Sequence, residues 1–177
     1  MGEPQGLHRG QRDRPMTEPT GAKSSDAHEA LCRRCGISCH FAVPVNGLAV
    51  VVDELHCRFL VRDGTRFNCS VYEDRFDLAP WCANMDEALE NGLVAQDCPY
   101  TAGVAGYRGK TRLHKRLLTP AEKAIRLELL ANGVPIGVSP EGVLKFLART
   151  GPGRFVMVEN PAGTRMSIEC LPEGPET

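Results

Sequence analysis

The sequence has few aromatic residues and no long apolar segment. Aromatic side chains make up only 6% of the 177 residues, with a single tryptophan. The longest apolar run, residues 48–52, is far shorter than the roughly 20 residues that a transmembrane helix needs. We therefore expect no membrane span, and a modest core that needs help from another source of stabilisation.

The N-terminal region lacks the apolar segment of a secretion signal. Residues 1–27 are rich in Gly, Pro, Ser, Thr and mixed charges, which predicts a disordered N-terminal tail. Without an export signal we expect a cytoplasmic protein whose thiols stay reduced. In such a compartment clustered cysteines more often bind metal than form disulfides.

Familiar catalytic motifs are also missing. The chain contains no GxSxG elbow, no HExxH helix, no phosphate-binding glycine loop and no dinucleotide fingerprint. We therefore assign no catalytic residue from the sequence. Whether the protein is an enzyme stays open, and any catalysis would have to use a bound metal.

Charge is nearly balanced in total but unevenly distributed. The net charge is −1, yet residues 28–100 carry six Lys/Arg against eleven Asp/Glu, and residues 101–177 carry eleven against seven. This asymmetry allows a basic contact surface on the C-terminal part, although such runs are usually a solvated surface. The residues of this basic run are Arg108, Lys110, Arg112, Lys115 and Arg116.

These patterns divide the chain into three segments. Residues 1–27 form the tail, residues 28–100 a cysteine-cluster domain, and residues 101–177 a helix-helix-hairpin extension. The predicted fold class is α+β: a small cysteine-rich domain nucleated by metal, with short hairpins and helices, plus a helical and hairpin appendage.

Short-range turn signals predict elements in the cysteine-cluster domain. Asn46-Gly47 and Asp63-Gly64 each lie between strand-like runs and predict two hairpins, the second of which would bring Cys57 and Cys69 together. Asn84 and Glu87, three residues apart, predict a capped helix that ends at Gly92.

The extension shows similar signals. Thr119 before Pro120 predicts a helix from there to Ala131, and Ser139 before Pro140 predicts a second helix to Gly151. The second helix would bury an apolar stripe at helical spacing, made of Val143, Leu144 and Leu147. A terminal hairpin is predicted around residues 161–163, since alternating apolar residues flank this turn.

Seven of the eight cysteines lie within one segment, and we predict that they bind metal. Cys32 and Cys35 form a CxxC knuckle, in which two thiolates can share one metal. Thiolate-rich sites exclude Mg²⁺ and Ca²⁺ and suit zinc, Cu(I) or iron-sulfur centres. The eighth cysteine, Cys170, is predicted to be a buried bystander in a strand. The predicted metal ligands are Cys32, Cys35, Cys39, Cys57, Cys69, Cys82 and Cys98.

The spacing of these motifs resembles the YkgJ-type cysteine-cluster family, described as a zinc- or iron-chelating domain. That family has a CxxCGxCC opening, then C-x-F-L, C-x-x-Y, an Arg-Pro pair and a further cysteine. Here residues 32–40 read CRRCGISCH, residues 57–60 read CRFL, and residues 69–75 read CSVYEDR before APWC. The resemblance covers residues 32–82 and implies chelation by the cysteines within it, with Tyr72 and Arg75 as the accompanying motif.

Three departures from that pattern affect the ligand set. Ser38 stands where the family has the first paired cysteine, Phe76 replaces its proline, and Cys82 comes three residues late. A missing ligand could be replaced by His40 or His56, or by Cys98, although a surface or second-sphere role is the plainer expectation for each histidine.

We expect an iron-sulfur cluster that serves electron transfer or assists a partner enzyme, because seven thiols exceed the four that one zinc ion takes. A protein partner is expected. The alternative is a zinc-stabilised interaction module that touches nucleic acid through its basic C-terminal part.

Overall fold

The computed structural model describes residues 31–172, which form an α+β fold. The predicted tail, residues 1–27, lies outside the described residues. The strands are β1 (His40–Val45), β2 (Leu48–His56), β3 (Leu60–Asp63), β4 (Arg66–Cys69), β5 (Thr111–Arg112), β6 (Val134–Pro135), β7 (Arg154–Glu159) and β8 (Arg165–Leu171). The helices are α1 (Arg75–Leu78), α2 (Met85–Glu90), α3 (Lys115–Asn132) and α4 (Pro140–Thr150), with 3-10 turns at Ile37–Cys39 and Pro99–Thr101.

The first predicted hairpin is confirmed. Strands β1 and β2 pair antiparallel, and the two turn residues have positive φ, 49° at Asn46 and 79° at Gly47. These angles suit the right-handed twist of the flanking strands. Strand β5 pairs parallel with the other side of β2, so β1 is an edge strand, where Pro44 is tolerated.

The second hairpin is also present, with its turn one residue later than predicted. Asp63 still belongs to β3 and pairs with Arg66, so the two-residue turn is residues 64–65. Gly64 has φ +59°. The register places Leu60 opposite Cys69, which brings the end of β4 beside the Cys57 turn.

Helix α2 confirms its predicted cap. The side chain of Asn84 accepts a hydrogen bond from the Glu87 backbone N–H at 2.9 Å, and the Glu87 carboxylate accepts one from the Asn84 N–H at 3.3 Å. Gly92 follows the last turn with φ +65°. Both ends of this helix are therefore determined by residues close in sequence.

Helix α3 begins earlier than predicted. It starts at Lys115 rather than after Thr119, with His114 as N-cap, and Pro120 lies inside it. The ring of His114 accepts a hydrogen bond from the Arg116 N–H at 3.4 Å. The extra turn places Leu118 against the core, and this burial favours continuing the helix through the proline. The end at residues 132–133 is as predicted.

Helix α4 and the terminal hairpin are confirmed. The Ser139 hydroxyl accepts a hydrogen bond from the Gly142 N–H at 3.3 Å, and Pro140 occupies the first turn. Val143 and Leu147 are fully buried as predicted, but Leu144 is only half-buried and Phe146 fills the core instead. Strands β7 and β8 pair antiparallel, and β6 pairs with the free side of β8.

One core lies between the first sheet, helices α3 and α4, and the third sheet. It contains residues from both sides of position 100, while the predicted domain boundary there stays a prediction. None of its buried members is a cysteine. They are Val43, Val50, Val52, Leu55, Ile125, Leu129, Val134, Val138, Val143, Phe146, Leu147 and Met166.

Within residues 31–172, none of the helices has both the length and the apolar content required to span a membrane.

Candidate metal centre

Backbone hydrogen bonds and a glycine with positive φ hold the turn that carries Cys39. The Gly36 carbonyl accepts hydrogen bonds from the Cys39 N–H at 2.9 Å and from Nδ1 of His40 at 2.8 Å. Gly36 has φ +70°, and a Cβ there would lie 2.9 Å from the Phe67 ring. Only glycine combines this φ with such close packing.

Backbone hydrogen bonds bring three cysteines to adjoining positions. The Cys57 N–H donates to the Cys39 carbonyl at 2.7 Å, which continues the pairing of β1 and β2. The chain then turns, since the Leu60 N–H donates to the Cys57 carbonyl at 2.9 Å. Cys69 lies opposite Leu60 in the next hairpin. The predicted approach of Cys57 and Cys69 therefore has a structural basis.

Cys82 reaches the same region through the segment after α1. Its N–H donates to the Ala79 carbonyl at 2.7 Å, and the preceding Trp81 stacks on Phe59 with ring centroids 6.1 Å apart and planes 4° from parallel. Phe59 lies in the turn that follows Cys57. This stack fixes the segment of Cys82 against the cysteine turn.

Electrostatic coupling supports the same grouping of Cys39, Cys57, Cys69 and Cys82, which we call the four-thiol group. Burial is the main cause that raises the pKa of Cys39 to about 11, and the other three thiols raise it further. Burial likewise raises the pKa of Cys82, with Cys69 and Cys57 adding to the effect. Thiols that are close enough to oppose each other's ionisation are also close enough for one bound cation to stabilise several thiolates at once.

Lys110 lies against this group and was not recognised from the sequence as part of it. Its side chain is only 6% exposed, and Nζ donates to the carbonyls of Ser38 and His40, each at 2.7 Å. These two carbonyls flank Cys39. Burial lowers the pKa of Lys110 to about 8, and the neighbouring Cys39 opposes this effect. Within residues 31–172 no carboxylate forms an ion pair with it.

The basic run is therefore not one exposed surface. Lys110 is buried, so the expectation that it belongs to an exposed basic surface is wrong. Arg112 forms an ion pair with Asp53 at 3.3 Å. No sequence signal separates Lys110 from its neighbours, because its partners are backbone atoms about 70 residues away.

The remaining predicted ligands, Cys32, Cys35 and Cys98, form a second set that we call the knuckle group. An ion pair between Arg33 and Asp97, 3.4 Å apart, joins the CxxC loop to the segment of Cys98. Burial raises the pKa of Cys98, and the thiols of Cys35 and Cys32 raise it further. The prediction that all seven cysteines share the metal stays a prediction.

The knuckle group differs from the four-thiol group in exposure. Cys32 and Cys35 are exposed, whereas Cys98 is half-buried and packs on the small cluster that contains Ile37. The Arg34 backbone N–H points at Sγ of Cys32 from 3.4 Å. An open cleft of about 530 Å³ adjoins this region, lined by Ile37, Gln96, Asp97, Lys110, Thr111 and Arg112.

The candidate replacement ligands occupy different positions. His40 is only 2% exposed, so a surface role for it is wrong. Because its Nδ1 contacts the Gly36 carbonyl, Nδ1 carries the proton, and the lone pair of the buried Nε2 has no hydrogen-bond partner in the described part of the chain. His56 is half-buried, with Nδ1 2.9 Å from the Cys57 carbonyl. The Ser38 side chain hydrogen-bonds to Cys39.

The accompanying aromatic motif surrounds an arginine. The Arg75 guanidinium lies 4.1 Å from the centroid of Tyr72 and 4.4 Å from that of Phe76, and donates to the Tyr72 carbonyl at 2.6 Å. Its positive charge lowers the pKa of Cys82 against the larger effect of burial. Arg75 thus favours a thiolate at that position.

Cys170 lies in β8 as predicted but is exposed, so the expectation that it is buried is wrong. By the alternation of β8 it lies on the same face as Met166 and Ile168, but these two pack in the core and Cys170, near the end of the strand, lies beyond the part of that face that the core covers. Cys170 belongs to neither cysteine group and offers a matched control for thiol chemistry.

As the side chains stand, the described residues contain no set of three His, Cys, Asp or Glu arranged to hold a metal ion. No family model, no curated protein and no solved structure matches this sequence. The resemblance to the YkgJ-type family therefore depends on the motifs alone and stays a prediction.

Proposed function

We propose that this protein binds a metal centre through the thiolates of the four-thiol group. The observation that carries the proposal is the buried ammonium of Lys110, which has no carboxylate partner among residues 31–172 and whose two carbonyl acceptors flank Cys39. A buried cation without a carboxylate partner is costly. Four thiolates around a zinc ion or a cubane cluster carry a net negative charge, which would offset that cost.

The donor set fits such a centre in kind and in number. Thiolates are soft ligands that select zinc or iron-sulfur clusters over Mg²⁺ and Ca²⁺. Cys39, Cys57, Cys69 and Cys82 would hold the group, and their side chains would have to rotate to bring the four sulfurs together. Bound there, an iron-sulfur cluster would supply one-electron chemistry.

We favour an iron-sulfur protein that acts in electron transfer or as an accessory to a partner enzyme, because the segment carries more thiols than one zinc ion takes. The second candidate is a structural zinc site in an interaction module. The grouping of four thiols favours this candidate, since four cysteines complete a tetrahedral zinc site.

Anaerobic purification with metal analysis tests both candidates. We expect a brown protein with absorption at about 400 nm and iron and sulfide in the ratio of a cluster. A colourless protein with one zinc per chain would instead support the second candidate. Cys69→Ser should abolish binding and Cys170→Ser should not, because only Cys69 belongs to the four-thiol group. Absence of any metal from the wild-type protein would contradict the proposal.

A further inference from the structure

The segment that leads into Cys82 exposes several large apolar side chains. Within residues 31–172, four of the eleven exposed large apolar side chains lie in residues 72–81. Helix α1 belongs to this segment, and none of its four residues is buried, whereas Ala79 directly after it is buried and anchors its end. A concentration of exposed apolar side chains marks an interaction site. The four side chains, between 37% and 53% exposed, are those of Tyr72, Phe76, Leu78 and Trp81.

Stacking contacts hold the aromatic members of this segment in place. The Arg75 guanidinium lies against the rings of both Tyr72 and Phe76. The ring of Trp81 stacks on Phe59, and the guanidinium of a second arginine, Arg58, lies 5.8 Å from its centroid. Side chains that are already ordered lose little conformational entropy when a partner binds.

The same segment is acidic. Glu73, Asp74 and Asp77 are exposed, and none of the ion pairs among the described residues includes them. The one basic residue in the segment, Arg75, is half-buried beside its two aromatic rings. The exposed apolar side chains therefore have a negative rim, which repels nucleic acid and acidic proteins and attracts a basic surface.

We propose that residues 72–81, which we call the aromatic-acidic surface, dock a partner protein that presents Lys or Arg side chains around an apolar contact. An apolar centre with a charged rim is the usual composition of a protein interface. A second copy of this chain fits less well, because a symmetric dimer would bring the two negative rims together. The surface adjoins Cys82, so a docked partner lies beside the proposed metal centre, although the docking itself does not depend on the metal.

Fluorescence anisotropy of a labelled synthetic peptide tests this surface with the full chain as purified. The probe is an amphipathic helical peptide of Leu and Lys, which presents an apolar stripe beside positive charges. Leu78→Ser should weaken binding at least about tenfold, because it removes an exposed apolar contact at the centre of the surface. Leu127→Ser, which replaces an equally exposed leucine on α3, should leave binding unchanged.

A second pair of variants tests the negative rim. Glu73→Gln combined with Asp77→Asn should lower the affinity for the peptide and flatten its dependence on salt, since two attractive charges are lost. Glu159→Gln combined with Glu169→Gln removes two exposed carboxylates outside the segment and should change neither quantity.

Two altered peptides separate this surface from simple charge attraction. Replacing Leu with Ser in the peptide keeps its charge, and replacing Lys with Glu keeps its apolar stripe; each should bind at least about tenfold more weakly. Equal binding of the Ser peptide, or wild-type affinity in Leu78→Ser, would overturn the proposal. Sedimentation that shows a dimer in the wild type and a monomer in Leu78→Ser would assign the surface to a second copy and would also overturn it.

Metal content measured in the same samples separates this proposal from the metal centre. Leu78→Ser should keep the metal content and the melting temperature of the wild type, because Leu78 is exposed and is not a ligand. If the wild-type protein held no metal but bound the peptide in the expected pattern, the docking surface would stand and the metal proposal would fail.

Discussion

Replacing Lys110 with methionine probes the electrostatic link between this lysine and the four-thiol group. The pKa of Lys110 falls from 10.5 to about 8 on burial. That difference corresponds to about 3 kcal/mol, because one pKa unit equals about 1.4 kcal/mol. In the metal-free protein this cost is fully present below pH 8, where the ammonium is charged in both the folded and the unfolded chain.

The contribution of Lys110 to stability should then rise with pH. Between about pH 8 and 10.5 the unfolded chain binds more protons at Lys110 than the folded chain does, so the free energy of unfolding increases. Lys110→Met removes this dependence. The Cys39 thiol, whose pKa is raised to about 11, has the opposite effect at high pH because the unfolded chain loses this proton first; the effect is common to wild type and variant and cancels in their difference.

Urea unfolding of the reduced, metal-free wild type and Lys110→Met at pH 7, 8, 9 and 10 provides the measurement. The wild type should gain up to about 3 kcal/mol relative to the variant across this range, and Lys145→Met, on an exposed lysine, should show no such change. In metal-loaded protein the anionic centre should hold Lys110 charged and abolish the difference. A pH-independent difference between the metal-free proteins would refute the reasoning.

Three further results are expected. Phe146 is fully buried, so Phe146→Ala should lower the free energy of unfolding by about 3–5 kcal/mol in a urea titration. A loss no larger than that caused by Leu144→Ala would contradict this expectation. Gly133→Ala should destabilise the protein more than Gly64→Ala. Both glycines have positive φ, but only at Gly133 would a Cβ collide with a backbone oxygen, that of Met166. Equal melting temperatures of the two variants would refute this expectation. In metal-free protein at pH 8, iodoacetamide should modify exposed Cys170 at least about tenfold faster than half-buried Cys39, whose pKa is about 11. Equal rates by mass spectrometry would contradict the raised pKa of Cys39.

Local signals predicted the elements whose determinants lie within a few residues. The turn at Asn46-Gly47, the cap of Asn84 and Glu87, and the start of α4 at Ser139 were each confirmed, because the hydrogen bonds and φ angles that define them are short-range. The start of α3 was wrong, since the burial of Leu118 against a distant core outweighed the local pattern at Thr119.

The candidate site was predicted in its residue types but not in its arrangement. The spacing of the cysteines indicated metal binding, but the spacing does not separate the four-thiol group from the knuckle group. The knuckle group forms because Arg33 contacts Asp97, which is 64 residues away in the sequence. The burial of Lys110 and of His40 likewise follows from tertiary packing. Such long-range contacts are invisible to patterns within one segment.

X-ray absorption at the edge of the bound metal tests the central claim most directly, because it counts the ligand atoms. We predict four sulfur neighbours at about 2.3 Å from each metal atom, with the sulfur signal lost in Cys57→Ser and retained in Cys170→Ser. A first shell dominated by oxygen or nitrogen, or a spectrum unchanged in Cys57→Ser, would contradict a centre held by the four-thiol group.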